Sequence, residues 1–261
     1  MERGKCTAYV CRTRRKIIHS PNDQNHKNDA SMQIAIIAGG RGTRLGSLAG
    51  DRPKSMAPVL GKPFLEYQLE FLQKSGVHDI ILCLGHLGNQ IEEYFGNGHK
   101  FGVDIKYSFE DQPLDTAGAI KKSEHLLSEI FLTLYGDSYL SMDFEAVMSY
   151  FRARNELALM TVYRNHDRYD RSNTVVRNGL VTHYSKREKT PDMVYIEYGA
   201  NIFRKEALKM VPAKQAYSMG SLFEKLIEER ELLAYEVNER FYEIGSCQGL
   251  AEFEQYKRVG R

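Results

Sequence analysis

The chain has 261 residues, of which 42% are hydrophobic and 27% charged, with a formal net charge of +2. That balance is globular, enough for one large α/β domain or two small ones, and it excludes collagen-like, coiled-coil and wholly disordered chains. No run of about 18 apolar residues is present, so no membrane-spanning helix is expected, and the first residues lack the apolar stretch of a secretory signal.

Residues 1–31 hold seven Lys and Arg against three Asp and Glu, a net of +4, which leaves −2 for the remainder. A nucleic-acid-binding domain carries its positive charge on a folded face, so no nucleic acid is expected as partner. Arg12, Arg14, Arg15 and Lys16 precede a polar run at 21–28 with no periodicity, and a disordered basic N-terminal extension is predicted there. Cys6, Cys11, His19 and His26 miss the spacings of zinc fingers. Glu2, Asp23 and Asp29 are unlike an acid-poor transit peptide, although a basic targeting arm and a true start at Met32 both fit this tail. Four cysteines make no disulfide scaffold, which points to a reducing, cytoplasmic setting.

From Met32 onward a single domain spanning residues 32–261 is expected. The apolar run 34–38 enters a glycine loop, and Leu65, Leu69 and Leu72 recur at helical spacing before Gly76. Strands are predicted at 80–84, 105–109, 131–135 and 157–163, with helices at 117–127 and 144–154. Asn178-Gly179 between 174–177 and 180–184 predicts a hairpin. Alternation of this kind gives a Rossmann-like, mainly parallel twisted sheet flanked by helices, with antiparallel strands added in the second half.

The strongest local signal is Gly39-Gly40-Arg41-Gly42-Thr43-Arg44-Leu45, directly after the first strand. Glycines let backbone approach a ligand closely, and successive free amides form a nest for phosphate. The dinucleotide fingerprint fails because Leu45 stands where its third glycine belongs. The P-loop fails because Pro63 follows Gly61-Lys62 and Met56 replaces the first glycine. Asp137, after Gly136, ends a predicted strand, where α/β sheets place their ligands; a helix cap is its alternative reading, with Ser138 as a rival cap. Cys83 reads as core, and Cys247 has no visible histidine base.

With Asp51-Arg52-Pro53-Lys54, Gly61-Lys62-Pro63, Pro113 to Ala119 and Tyr135-Gly136-Asp137, the loop resembles the sugar-1-phosphate nucleotidyltransferases over essentially all of residues 32–261. The heptose-1-phosphate and mannose-1-phosphate guanylyltransferase branch is the most similar. The resemblance implies transfer of a nucleoside monophosphate from an NTP to a sugar 1-phosphate, with release of pyrophosphate and a requirement for Mg2+. It makes Arg44 and Lys54 catalytic, and Gly39, Gly40, Gly42, Thr43, Thr116 and Gly118 nucleotide-binding. Asp137 and Glu243 become the metal carboxylates, with Glu243-Ile244-Gly245 standing where relatives have Asp-Ile-Gly. Lys186, preferred to Lys189, would bind the sugar phosphate ahead of a turn at Tyr198-Gly199-Ala200, beside Glu197 and Gly199. Glu197 is expected to take over sugar hydroxyls because Ser185 replaces a carboxylate. Glu110 falls at the position that reads the nucleobase, and a carboxylate suits the paired N1 and N2 donors of guanine, so GTP is favoured. Asp115 replaces a common glycine and is expected in a left-handed turn. A cytidylyltransferase for an alcohol phosphate such as phosphocholine, and a non-catalytic subunit of the same fold, are the alternatives; homo-oligomerisation is left open.

Overall fold

The computed structural model describes residues 32–40 and 51–259. The readings placed on the extension 1–31 and on Gly42, Thr43 and Arg44 lie outside the described residues.

In β1 (Gln33–Ile37), Ile34 and Ile36 pack to one side of the sheet and Ala35 to the other, the period-two signature of a strand buried on both faces. A two-stranded hairpin, β2 (Pro58–Val59) with β3 (Lys62–Pro63), leads into α1 (Phe64–Lys74), whose Leu65, Leu69 and Leu72 are all buried. The helix stops where Gly76 turns left-handed at φ 78. There the Val77 amide donates to the Leu72 carbonyl at 2.9 Å and the Gly76 amide to Gln73 at 3.0 Å, which satisfies the last carbonyls of the helix.

β4 (Asp79–Leu84), α2 (Gly88–Phe95), β5 (Asp104–Phe109), α3 (Asp115–Lys122) and β6 (Ile130–Tyr135) continue the alternation. They are followed by β7 (Ser138–Leu140), α4 (Phe144–Arg152), β8 (Ala158–Arg164) and the hairpin of β9 (Thr174–Arg177) and β10 (Leu180–Tyr184). The chain closes with β11 (Tyr195–Arg204), α5 (Met219–Glu228), β12 (Leu232–Val237), β13 (Phe241–Glu243) and α6 (Cys247–Val259).

Nine strands form one sheet in the order β5-β4-β1-β6-β11-β8-β12-β10-β9, and only β10 and β11 run against β1. Helices α1, α2 and α4 bury their apolar stripes on one face, and α3 and α5 on the other. The expected mainly parallel sheet with antiparallel strands in the second half is therefore present. α6 joins α1 and the small β7–β13 ladder in a third cluster around Phe64, Tyr67, Tyr139 and Phe253. Among the described residues no helix is long and apolar enough to cross a membrane.

Three local readings are corrected. The predicted helix 117–127 breaks at Ser123, whose hydroxyl donates to the Ile120 carbonyl at 2.8 Å, and a short 3-10 turn follows. Neither Asp137 nor Ser138 caps a helix, since Ser138 opens β7 and Asp143 caps α4 by accepting the Ala146 amide at 2.9 Å. Tyr198-Gly199-Ala200, read as a turn, lies inside β11. Its glycine is the centre of a bulge, with φ 104 and a register shift against β8 between Glu197 and Asn201.

Candidate active site

β1 lies between β4 and β6, so the chain winds to one side through β4 and β5 and returns on the other through β6. Open α/β sheets take ligands in the crevice beyond the carboxyl ends of the strands at such a reversal. Here those ends are Gly39 and Gly40 after β1, Gly85 after β4, Glu110 after β5, and Gly136 with Asp137 after β6.

Gly39 and Gly85 touch. A Cβ on Gly85 would fall 2.8 Å from the Gly39 carbonyl oxygen, and one on Gly39 would fall 3.1 Å from the Gly85 nitrogen and 3.2 Å from Glu110 Oε1. The exits of β1 and β4 can close over one another only because neither carries a side chain. Gly85 was missed by sequence reasoning, although a glycine directly after an apolar strand was the available signal. Glu110 points at this contact. Its Oε2 accepts the Leu114 amide at 3.0 Å, leaving Oε1 toward Gly39. Burial raises its carboxyl above the ordinary value, opposed by the Leu114 amide and Lys122.

Asp115 occupies the left-handed turn at φ 58, and its carboxylate accepts the Thr116 amide at 2.6 Å. Thr116 and Gly118, both expected at the nucleotide, also hold the packing of α3. The Thr116 hydroxyl accepts the Met219 amide at 2.7 Å, tying α3 to the start of α5. Gly118 is buried, and a Cβ there would fall 2.9 Å from the Gln215 carbonyl oxygen, so its bareness serves the packing of α3 on that segment.

Asp137 stands on a tightly held turn. The Gly136 amide donates to Ile37 at 2.9 Å, a Cβ on Gly136 would meet the Ala38 Cβ at 2.9 Å, and the Asp137 carbonyl accepts the Ile244 amide at 3.0 Å. Lys54 opens a 3-10 turn after Pro53 and forms an ion pair with Asp137 Oδ2. Its ammonium also lies against Gly245, where a Cβ would come within 3.3 Å. The β7–β13 ladder sets Glu243 opposite Ser138 and so beside Asp137. Glu243 keeps a solvent-exposed face at the edge of the crevice. Crowding by the surrounding protein, then repulsion from Asp137 and Asp170, pushes its carboxyl up to about 7, against the pull of Lys54 and Lys186. Asp170 was not anticipated, because its loop carries no motif.

Lys186 follows β10 in a turn organised by Ser185, whose hydroxyl accepts the amides of Arg187 at 3.2 Å and Glu188 at 2.9 Å. Its ammonium reaches 3.7 Å from Glu197 Oε2. The rival Lys189 instead pairs with Asp167. Glu197 does not fit the role expected of it. Its side chain is only 3% exposed, and it accepts Tyr135 Oη at 2.9 Å, Tyr184 Oη at 2.8 Å and Asn201 Nδ2 at 3.2 Å. No face is left for a sugar hydroxyl; the carboxylate braces two tyrosines and Lys186. Gly199 keeps the bulge flat against the Tyr135 ring, 3.5 Å from where its Cβ would be.

Cys83 is buried, and burial pushes its thiol up to about 12, which makes it inert. Cys247 is exposed at the first turn of α6.

Asp137 and Glu243 offer hard oxygen donors that repel one another, an arrangement a divalent cation relieves. Among the described residues no group of three or more acidic, His or Cys ligands gathers. Two carboxylates suit magnesium, which keeps waters and takes substrate phosphates as its remaining ligands, so the residues fit that ion.

The doubly wound sheet, with its glycine exit at the point of reversal, is the fold of sugar-phosphate nucleotidyltransferases. The chain belongs to the Nucleotidyl transferase family, which it matches over residues 34–258. It is 31% identical over 228 residues to a UTP–glucose-1-phosphate uridylyltransferase of Synechocystis, covering 80% of this chain and 58% of that one. It is 38% identical over 144 residues to the D-glycero-alpha-D-manno-heptose 1-phosphate guanylyltransferase of Campylobacter jejuni, covering 55% and 62%. The chain thus spans about three-fifths of the length of these curated relatives. The fold matches that of HddC from Yersinia pseudotuberculosis complexed with GMP-PN, with a TM-score of 0.74 at 23% identity over 87% of this chain and 99% of that one.

Proposed function

We propose that the protein transfers a nucleoside monophosphate from an NTP to a sugar 1-phosphate and releases pyrophosphate. The observation that carries this reading is the convergence of Lys54, Asp137 and Glu243 at the reversal of the sheet, facing the glycine exit of β1. Two polyanions must meet for this reaction, so the site needs cations to offset charge and fixed groups to align the attacking phosphate oxygen with the α-phosphorus. In this reading Lys54 neutralises phosphate oxygens, a role the sequence resemblance also gives to Arg44. Asp137 and Glu243 would hold Mg2+, which supplies positive charge to the triphosphate oxygens. Lys186, exposed to solvent and 3.7 Å from Glu197 Oε2, takes the sugar phosphate in this reading.

The base is assigned to guanine. Glu110 Oε1 is turned to the crevice, and Oε2, which accepts one amide, retains a second lone pair. Together they match two adjacent donors, as on N1 and N2 of guanine. The relatives include uridylyltransferases as well as guanylyltransferases, so the base is the finer part of the proposal. A pyrophosphate-release screen of GTP, UTP, dTTP, CTP and ATP against a panel of sugar 1-phosphates and the alcohol phosphate phosphocholine tests both parts. Turnover confined to GTP supports the full reading; turnover only with CTP and an alcohol phosphate, or none at all, overturns it.

A further inference from the structure

Gln68 is an amide buried in the apolar face of α1, only 4% exposed, among Leu65, Leu69 and Leu72. A polar group in that position costs free energy unless it is hydrogen-bonded. Its Nε2 donates to the Tyr135 carbonyl at 2.8 Å and to the Ser138 carbonyl at 2.5 Å, while its buried Oε1 has no hydrogen-bond partner among the described residues. Those two carbonyls bracket Gly136 and Asp137. The bracket lies where the sheet stops serving the chain: the register of β6 with β11 ends at Leu134 opposite Ala200, and the Ala38 amide is taken by Cys83. The part-buried carbonyl of Tyr135, left without a strand partner there, takes its donor from Gln68. Reversing the amide would set Oε1 against two carbonyl oxygens, so its orientation is dictated by its partners. Behind it lies a cavity of about 10 Å³, walled by Phe71, Leu134, Tyr139, Leu140 and Phe144. That space is too small for the side chain to swing into.

We infer that Gln68 is a positioning residue, a clamp on the Tyr135–Ser138 turn that holds the Asp137 carboxylate in the orientation from which it binds a divalent cation. The inference rests on the proposed metal role of Asp137. Backbone on both flanks of Asp137 is already tied, through Gly136 to Ile37 and through the Asp137 carbonyl to Ile244. Gln68 is the side chain that joins the two ends of the turn across its back, linking the active-site loop to α1 rather than to a neighbouring strand. Partners that orient a metal ligand typically contribute 10- to 100-fold to metal affinity.

The test uses the full chain and Mn2+ alone, with binding followed by electron paramagnetic resonance and amide hydrogen exchange recorded at residues 136–138 and 244. Gln68→Met preserves length, burial and helix propensity but donates nothing. It is expected to weaken Mn2+ binding by roughly tenfold or more and to speed exchange at these amides, while exchange in β4 and β5 stays as in the wild type. Asp137→Ala is measured beside it. If Asp137→Ala binds Mn2+ as the wild type does, the metal role of Asp137 fails, and the clamp fails with it. If Asp137→Ala loses Mn2+ while Gln68→Met keeps wild-type affinity, the clamp alone is overturned. A lowered melting temperature with unchanged Mn2+ affinity would mark Gln68 as a packing residue and also overturn the inference. Should Gln68→Met fail to fold, Gln68→Asn, which keeps the donor but is too short to reach both carbonyls, takes its place with the same expected loss.

Discussion

At the scale of single residues, the crevice is organised by charge. Lys54 and Asp137 form a pair whose side chains are 17% and 31% exposed, so their attraction is screened only in part by water. Replacing Asp137 by Ala frees Lys54 toward a solvated crevice rather than leaving it buried, so the fold should tolerate the change. The expected outcome is a loss of at least about 100-fold in turnover with little change in melting temperature, because in the proposed reaction the carboxylate would hold a cation against the phosphates. Thermal denaturation and pyrophosphate release on one preparation check it, and near-normal turnover would remove Asp137 from the site. Glu110 makes a different prediction. In Glu110→Gln the amide oxygen would keep the Leu114 amide and turn its NH2 toward the base, where a guanine donor would meet another donor. The proposed preference for GTP over UTP should then fall by about tenfold or more in kcat/KM, the equivalent of one charge-assisted hydrogen bond of ~1.5 to 3 kcal/mol. An unchanged preference would show that the base is read elsewhere.

At the scale of elements, α6 is anchored through the ring of Phe253, its one fully buried residue. Phe253 is fully buried and meets Phe64 at 4.9 Å, Tyr139 at 5.0 Å and Tyr67 at 5.6 Å between ring centroids. Edge contacts of this kind add to the burial of apolar area. Phe253→Ala should cost ~3 to 5 kcal/mol, read by chemical denaturation. Because the helix begins four residues after Glu243, its loosening should also raise the amide exchange of residues 243–246. Loss of stability without that local change would separate the helix from the site. Elements also differ in how visible they are in sequence. β1, β4 and β6 are apolar runs buried on both faces, and each was legible. β11 was not, because Glu197, Gly199 and Asn201 interrupt its pattern; all three are internal, bonded to tyrosines or placed at the bulge. Polar residues inside a strand look like a turn until their partners are known. α6 was missed for a related reason, since Phe253 is its only fully buried residue and gives no repeating stripe.

At the scale of the whole molecule, the excess positive charge sits in residues 1–31, apart from the nearly neutral remainder. The sequence there carries no apolar periodicity that would be expected to contribute to a core. Deleting residues 1–31 should leave melting temperature and turnover nearly unchanged, and a drop of several degrees or a large loss of rate would show that the segment docks on the rest of the chain. The crevice itself is assembled from across the chain, with partners 83 residues apart in Lys54 and Asp137. By itself the sequence determined the alternation of strands and helices, the glycine exit of β1 and the chemical types at positions 54, 110, 137, 186 and 243. Those are local properties, written in periodicity and short motifs. Only the tertiary structure decided that Gly85 closes against Gly39, that Glu197 serves tyrosines and Lys186 rather than a ligand, and that Gln68 grips the turn bearing Asp137. Each depends on which strands become neighbours and in what register, and that is fixed by burying both faces of the sheet at once, a condition no stretch of residues carries alone.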